Sequence, residues 1–419
     1  MPLAEGVSAR VSYKKYASGV ITANAEPDIA TDPGGAGGQI LRRVASTLKL
    51  AKDTYQSNEV RNDRQIADFR HGTRRVTGSV SGELSPQTYA DLFEASLRGT
   101  WEAAVALTEV QLTSVAADED ASTLTFGGGD PVALGLRVGH VFRLTDTSVV
   151  GDSGINFIAL GFSGASNRTM EVYPPPTDMT ADTAFSLATV GKRLSAPSTG
   201  HVSRKFAFEI FNEDIDVARI FTECRIGGFT MQLPASGMST IEFPVMGRNM
   251  QLYDGLEGRP AAPYFAAPTA ETTTGIFAAV NGLVRVNGVT QGVITGVNIQ
   301  LNLNPSSEAV VGQNFVPEVF LGRANVTGQI TAFFQDAELI KAFTDEDEIS
   351  ILLYLTTESD PDTPAMTILL PRIKLSDADV ATSGEGGQAV TLPFQALKFA
   401  GAPGIDATTI QIVDTQIAA

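Results

Sequence analysis

Val297, Ile299, Leu301 and Leu303 alternate with Asn298, Gln300, Asn302 and Asn304, the period-two pattern of a strand with one face in a core and one in solvent. Residues 205–210 repeat that pattern, and Leu48 and Leu50 alternate with Thr47 and Lys49. Val76, Val80 and Leu84 share one face of a further strand, where Gly78 and Gly82 point to a bend or a close backbone approach. Helical spacing is rarer. Ser85 suits an N-cap and Pro86 the first helical position. Tyr89, Leu92, Phe93 and Leu97 then fall on one helical face, with Gln87, Asp91, Glu94 and Arg98 on the other. A similar short helix is expected over residues 336–343, starting at Asp336. The fold class read from this pattern is all-β with short flanking helices.

The strand-then-helix unit occurs twice, because Val76-Thr77-Gly78 matches Val326-Thr327-Gly328. Arg225-Ile226 through Phe243-Pro244 likewise resembles Arg372-Ile373 through Leu392-Pro393. Gly78 lies 147 positions before Arg225, whereas Gly328 lies 44 before Arg372, an excess of 103 in the first copy. Residues 103–197 account for that excess, and their many short strand and turn signals read as a small β-module. The expected organisation is one β-domain duplicated, with a second β-domain inserted: residues 1–102 with 198–255, the insert 103–197, a second copy 256–400, and a tail or arm 401–419. Between these, residues 33–38 read as a flexible glycine loop, 53–72 as a protruding polar loop and 255–274 as a linker.

Length and composition fit this picture. The chain has 419 residues, 43% hydrophobic and 18% charged, without an uninterrupted apolar run of the roughly 18 residues that a membrane span needs. A soluble protein without an export signal or membrane insertion is expected. The net charge is -17, yet residues 1–100 hold 13 Lys and Arg against 11 Asp and Glu. Arg61, Arg64, Arg70, Arg74 and Arg75 form a local basic cluster, which reads either as a solvated loop or as a surface seeking the acidic face of another copy. Tight nucleic-acid binding is disfavoured on so acidic a chain.

Candidate chemistry is sparse. Cys224 stands alone, which excludes a disulfide framework, and reads as a small buried hydrophobe on a strand. His71, His140 and His201 lie far apart with no metal-ligand spacing, and Ser163 sits in a sequence that ends in Ala165 where a nucleophile elbow needs glycine. The acidic runs at residues 118–120 and 345–348 lack the ligand spacing of a calcium loop. No catalytic, cofactor-binding or metal-binding residue is assigned.

One family resemblance emerges. Residues 61–72, then Val76-Thr-Gly-Ser-Val-Ser-Gly-Glu-Leu-Ser85, then Tyr89-Ala-Asp-Leu-Phe-Glu-Ala-Ser-Leu97 with Gly99 and Trp101, resemble the tail tube (major tail) proteins of long-tailed, siphovirus-like bacteriophages. Leu136-Arg-Val-Gly-His140 and Phe221-Thr-Glu-Cys-Arg-Ile226 extend the likeness. It covers most of residues 40–250 and, through the repeat, 290–400.

The resemblance implies β-sandwich or barrel tube domains whose sheets join between subunits into a channel, in a virion tail protein made in the host cytoplasm. Two such domains per chain imply homotrimeric, pseudo-hexameric rings stacked into a tube, with hexameric rings as the alternative. Tape measure, tail terminator and distal tail proteins would be partners, and DNA would pass without specific contact. Val76, Gly78 and Val80, with Val326, Gly328 and Ile330, would mark the channel-wall strands, and the five arginines would join one ring to the next. The insert would lie outside, and deleting it would leave assembly intact. Two other readings are a surface adhesin or carbohydrate-binding β-protein, which predicts a monomer, and an acidic hydrolase, which needs a carboxylate pair in a cleft.

Overall fold

The same strand arrangement is built twice along the chain. In a computed structural model that describes residues 3–20, 29–149, 152–278, 281–335, 338–380 and 387–418, the first half supplies β1 (Ala9–Lys15), β2 (Lys49–Gln56), β3 (Phe69–Glu83), α1 (Ala90–Leu97), β4 (Phe206–Asn212), β5 (Val217–Ile226), β6 (Gly228–Pro234), β7 (Thr240–Gly247) and β8 (Asn249–Tyr253). The second half supplies β9 (Leu283–Val286), β10 (Ile294–Asn302), β11 (Asn325–Phe333), α2 (Glu338–Thr344), β12 (Ile349–Thr356), β13 (Ala365–Leu375), β14 (Asp379–Val380), β15 (Ala389–Ala396) and β16 (Gln411–Asp414). Each strand has its counterpart eight numbers later. The protein is all-β, and its helices are short.

Within each half the strands form two facing layers. One layer runs β2–β3–β7–β6 in the first half and β10–β11–β15–β14 in the second, all antiparallel. The other runs β1–β4–β5–β8 and β9–β12–β13–β16. A shared core fills the space between layers, holding Val80, Phe208, Phe221 and Phe243 from one half and Ile330, Ile351, Leu370 and Leu392 from the other.

Registers repeat residue for residue. Val80 faces Phe243 and Gly78 faces Val245, just as Ile330 faces Leu392 and Gly328 faces Phe394. A bulge interrupts β4 against β5 between Phe206 and Phe208, and another interrupts β12 against β13 between Ile349 and Ile351. These registers correct one pairing read from the sequence. Arg225 and Ile226 oppose Met246 and Val245, whereas the equivalent places opposite Gln395 and Phe394 are taken by Lys374 and Leu375, not by Arg372 and Ile373. A slip of two residues keeps every side chain on its own face, so alternation alone does not reveal it.

The two halves also join through a strand pair. β6 pairs with β10 over seven residues, from Gly228 opposite Asn302 to Pro234 opposite Gly296. The inner layers therefore make one continuous ribbon in the order β2–β3–β7–β6–β10–β11–β15–β14.

Glycines in this ribbon permit close approach. A side chain on Gly82 would meet the Tyr89 hydroxyl at 1.9 Å, so the Tyr89 ring, just before α1, lies close against β3 because that position is bare. Gly328 is closed in the same way by the Asn298 carbonyl at 2.3 Å. The helix itself starts later than its N-cap signal suggests. Residues 86–89 form turns before Ala90, and Gln87 adopts a φ of +67° while donating its N–H to Asp414 Oδ2 at 2.7 Å. Ser85 Oγ pairs with Thr88 Oγ1 at 2.7 Å instead of capping. Glu94 does not face solvent either, since Arg204 at 3.0 Å and Lys15 at 3.7 Å cover it. Asp336, the expected start of the second helix, lies outside the described residues.

Residues 106–189 form a separate eight-stranded sheet with its own cluster around Phe142, Phe157, Phe126 and Leu187. This sheet lies on the outer layer of the second half. β12 is buried on both faces: Ile351, Leu353 and Leu355 point to the core, while Leu352 and Tyr354 point to Val138, Val141 and Ile158 of the insert. Asn156 Nδ2 donates to the Thr363 carbonyl at 2.9 Å and Thr367 Oγ1 to the Gly139 carbonyl at 2.7 Å, which fixes the contact.

Four segments depart from the sequence expectation. Residues 401–419 are not a free arm, because β16 lies between β13 and the strand Lys192–Ser195, with Ile412 fully buried. Residues 255–274 are not a loose linker, because Phe265 is buried against Tyr16, Phe211 and Ile220 on the outer face of β4 and β5. The glycine loop 33–38 is held beneath that segment, where a side chain on Gly35 would meet the Tyr264 carbonyl at 2.8 Å. The polar stretch 53–72 is strand at both ends rather than loop throughout: β2 and β3 pair out to Gln56 opposite Phe69, which leaves residues 57–68 as the tip.

Candidate functional site

The ribbon has two unlike faces. Val76, Val80, Val326 and Ile330, expected to mark channel-wall strands, are all buried in the core. The open face is carried by the residues between them: Thr77, Ser79 and Ser81 on β3, Asn298, Gln300 and Asn302 on β10, Thr327, Gln329 and Thr331 on β11. Thr230 and Gln232 continue it on β6, and Thr391 and Gln395 on β15. Strict alternation produces this separation, because each strand has one face in the core and one in solvent. The face is rich in hydroxyls and amides and poor in charge, with Glu83, Glu242 and Lys49 among its few ionic residues. The residues marked from the sequence point into the core, and the open side is fronted by their polar neighbours, whose alternation with the valines was the available signal.

The ribbon ends in two open edges. Among the described residues, neither β2 nor β14 has a backbone partner on its outer side, whereas the equivalent sides of β10 and β6 pair with each other. Lys49 and Lys52 lie on the first edge and Asp377 and Asp379 on the second. Unpaired edges of this kind invite strand addition.

At one end of the ribbon the hairpin of β2 and β3 projects into solvent. It exposes Tyr55 and Phe69 on its strands and Val60 and Ile66 at its tip, the last two 64% exposed or more. The equivalent connection of β10 and β11 exposes Val310, Val311 and Phe320. Large apolar side chains clustered on projecting loops are uncommon on the surface of a monomer. The arginines proposed from sequence behave differently. Arg61 pairs with Asp63 at 3.2 Å, Arg70 with Asp68 at 2.7 Å and Arg75 with Asp53 at 3.0 Å, so local acids balance the cluster. Arg64 lies at the exposed tip with a φ of +58°. Arg74 is at the hairpin base, its N–H donating to the Asn314 carbonyl at 2.9 Å.

A buried ionic network ties the connection between β10 and β11 to the first half. Glu223 on β5 accepts from Lys205 Nζ at 2.8 Å and from the fully buried Arg248. Arg248 Nε donates to the Val316 carbonyl at 2.8 Å, and its guanidinium lies 5.0 Å from the Phe315 ring centroid. Arg225 adds an ion pair to Glu318 at 2.8 Å. The first half thereby grips the connection between β10 and β11.

The other singled-out residues carry no constellation of reacting groups. Cys224 is buried on β5, and burial pushes its thiol well above the usual range. His140 is buried where the insert meets the outer layer. Desolvation, with the Arg193 and Arg137 charges beside it, pushes its imidazole down to about 3, so it is neutral at physiological pH. His71 and His201 are exposed. Among the described residues, no group of three His, Cys, Asp or Glu side chains is placed to hold a metal ion, and no helix is long and apolar enough to cross a membrane.

No curated protein matches the chain. A family model described as "Phage tail tube protein" does match, over residues 6–396, from the start of β1 to the end of β15. The duplicated ribbon, the insert and both hairpins all fall inside that span, and the chain belongs to the phage tail tube protein family.

Proposed function

We propose that this structural tail protein is the repeating unit of a closed ring, that rings stack into the tail tube, and that the open face of the ribbon lines the channel through which DNA leaves the virion. The observation that carries the reading is the β6–β10 pair, a joint between two equivalent sheets within one chain that leaves the complementary sides of β2 and β14 without a strand partner among the described residues. Two repeats per chain favour three copies per ring, with pseudo-sixfold symmetry. The tube domains are residues 1–102 with 198–255 and the second copy from 256, extended to include β16, and the insert 103–197 decorates the outside. That placement follows because the insert and the ribbon lie on opposite sides of the outer layer.

The polar ribbon face suits a conduit. Phosphate is retained by clustered Lys and Arg, whereas hydroxyls and amides offer hydrogen bonds that water replaces readily. The tape measure protein would occupy the same channel before DNA, and terminator and distal tail proteins would close the two ends. The hairpins would contact the adjacent ring through their apolar tips, with Arg61, Arg64, Arg70, Arg74 and Arg75 at the rim of that contact.

Val60→Asp combined with Ile66→Asp tests the stacking role. Both positions are solvent-exposed, so the folded subunit should keep its melting midpoint, while tubes seen by negative-stain microscopy should give way to single rings or free subunits. Tubes of normal length from this variant would remove the hairpin tip from the ring-to-ring contact.

A further inference from the structure

The internal duplication specifies more than the presence of a joint between copies; it specifies the register. We propose that β2 of one copy pairs with β14 of the next in the register of β10 with β6, placing Leu50 opposite Ala378, Lys49 opposite Asp379 and Leu48 opposite Val380. This rests on the ring reading above.

Two chains of equivalence lead to it. Leu301 opposes Val326 on β11, and Leu50 opposes Val76, the counterpart of Val326, on β3. Gln300 opposite Thr327 and Lys49 opposite Thr77 keep the same spacing, as do Gly296 opposite Thr331 and Ala45 opposite Ser81. On the other edge, Thr230 and Met231 oppose Glu242 and Ile241 on β7, while Asp379 and Val380 oppose Thr391 and Val390 on β15. The corner before each strand is also conserved in geometry. Gly227 N–H donates to the Pro244 carbonyl and Ser376 N–H to the Pro393 carbonyl, both at 2.8 Å.

Inside the chain Phe229 opposes Leu301, Thr230 opposes Gln300 and Met231 opposes Ile299. Transferring each partner gives the pairs stated above. The Leu303 N–H donates to the Gly227 carbonyl at 2.8 Å, so Lys52 N–H would donate to the Ser376 carbonyl of the neighbouring copy. Ala378 N–H, held in the single chain by the Asp377 carboxylate at 2.8 Å, would turn to the incoming strand.

The chemistry of the two joints differs. Phe229 and Met231 face Leu301 and Ile299 within the chain, whereas the smaller Ala378 and Val380 face Leu50 and Leu48 between chains. Lys49 and Lys52 meet a stretch carrying Asp377, a charge match that the internal joint lacks. The permanent joint is the more apolar one, and the joint that must form during assembly is matched by charge.

Disulfide trapping in assembled tubes reads the register directly. Lys49 and Asp379 would form a non-hydrogen-bonded pair, in which Cα atoms approach to about 4.5 Å, close enough for a cross-strand disulfide. Lys49→Cys with Asp379→Cys should give covalent oligomers on mild oxidation, and Lys49→Cys with Asp377→Cys should not. Cross-linking of the second pair, or of neither, in tubes that form normally would overturn the register while leaving the tube reading intact. Should the cysteine variants fail to assemble, hydrogen exchange on wild-type tubes decides: amides of Leu48, Leu50 and Lys52 should slow on assembly, and exchange as fast as in free subunits would overturn the pairing.

Discussion

Glu223→Ala is expected to destabilise the subunit by about 3–5 kcal/mol, the cost of leaving a buried charge without its partner. Glu223 is the only carboxylate among the described contacts of both Lys205 Nζ and Arg248 Nη1, and all three side chains are at least nine-tenths buried. Its removal takes from two buried cations the carboxylate that they share. Arg248 also holds the Val316 carbonyl, so the damage should spread to the connection that exposes Val310 and Val311. Part of the loss belongs to the backbone, because residue 223 has a φ of +49°, unfavourable for alanine. Glu223→Gln keeps the shape and isolates the charge effect. Both variants should unfold at lower urea concentration than the wild type, alanine lowest, and a loss below about 1 kcal/mol for alanine would show that the network contributes specificity rather than stability.

Deleting the insert is expected to be more damaging than the sequence reading suggests. Removing residues 103–197 would take away the strand Lys192–Ser195 that pairs with β16. A shorter deletion, residues 105–190, keeps that strand and still uncovers Leu352, Tyr354 and Leu369, which are buried against the insert. At about 1.5–3 kcal/mol for each large apolar side chain, the exposure rivals the whole stability of an ordinary domain. The deletion variant should therefore aggregate on expression, and Leu352→Thr, Tyr354→Thr and Leu369→Thr in the same chain should recover soluble protein. Soluble, cooperatively folding protein without those substitutions would show that the insert covers little of the outer layer.

The ribbon was largely legible in the sequence, and the reason is physical. β3, β10 and β11 have one wet face, so Val76, Val80, Ile299 and Leu301 stand out against their polar neighbours. β12 and β16 have no such contrast, because the insert lies against their second face, at Leu352 and Tyr354 on β12 and at Gln411 on β16. β16 is four residues long and entirely buried, which is why it read as a tail. Phe265 and Tyr264 were hidden by prolines that suggested a linker, yet they close the outer layer of the first half as the insert closes that of the second. The candidate surface was half visible: counting between repeated glycines exposed the duplication, while the polar face and open edges became apparent only with the strand order.

The central claim is that the ribbon forms the channel wall. Cryo-electron microscopy of tubes assembled from the purified chain measures this most directly, since it shows which face of β3, β10 and β11 points to the axis. Three copies per ring with Thr77, Gln300 and Gln329 turned toward the lumen and the insert outside is the predicted result. Rings with the insert inside and the ribbon facing solvent, or a chain that remains a dispersed monomer, would contradict it.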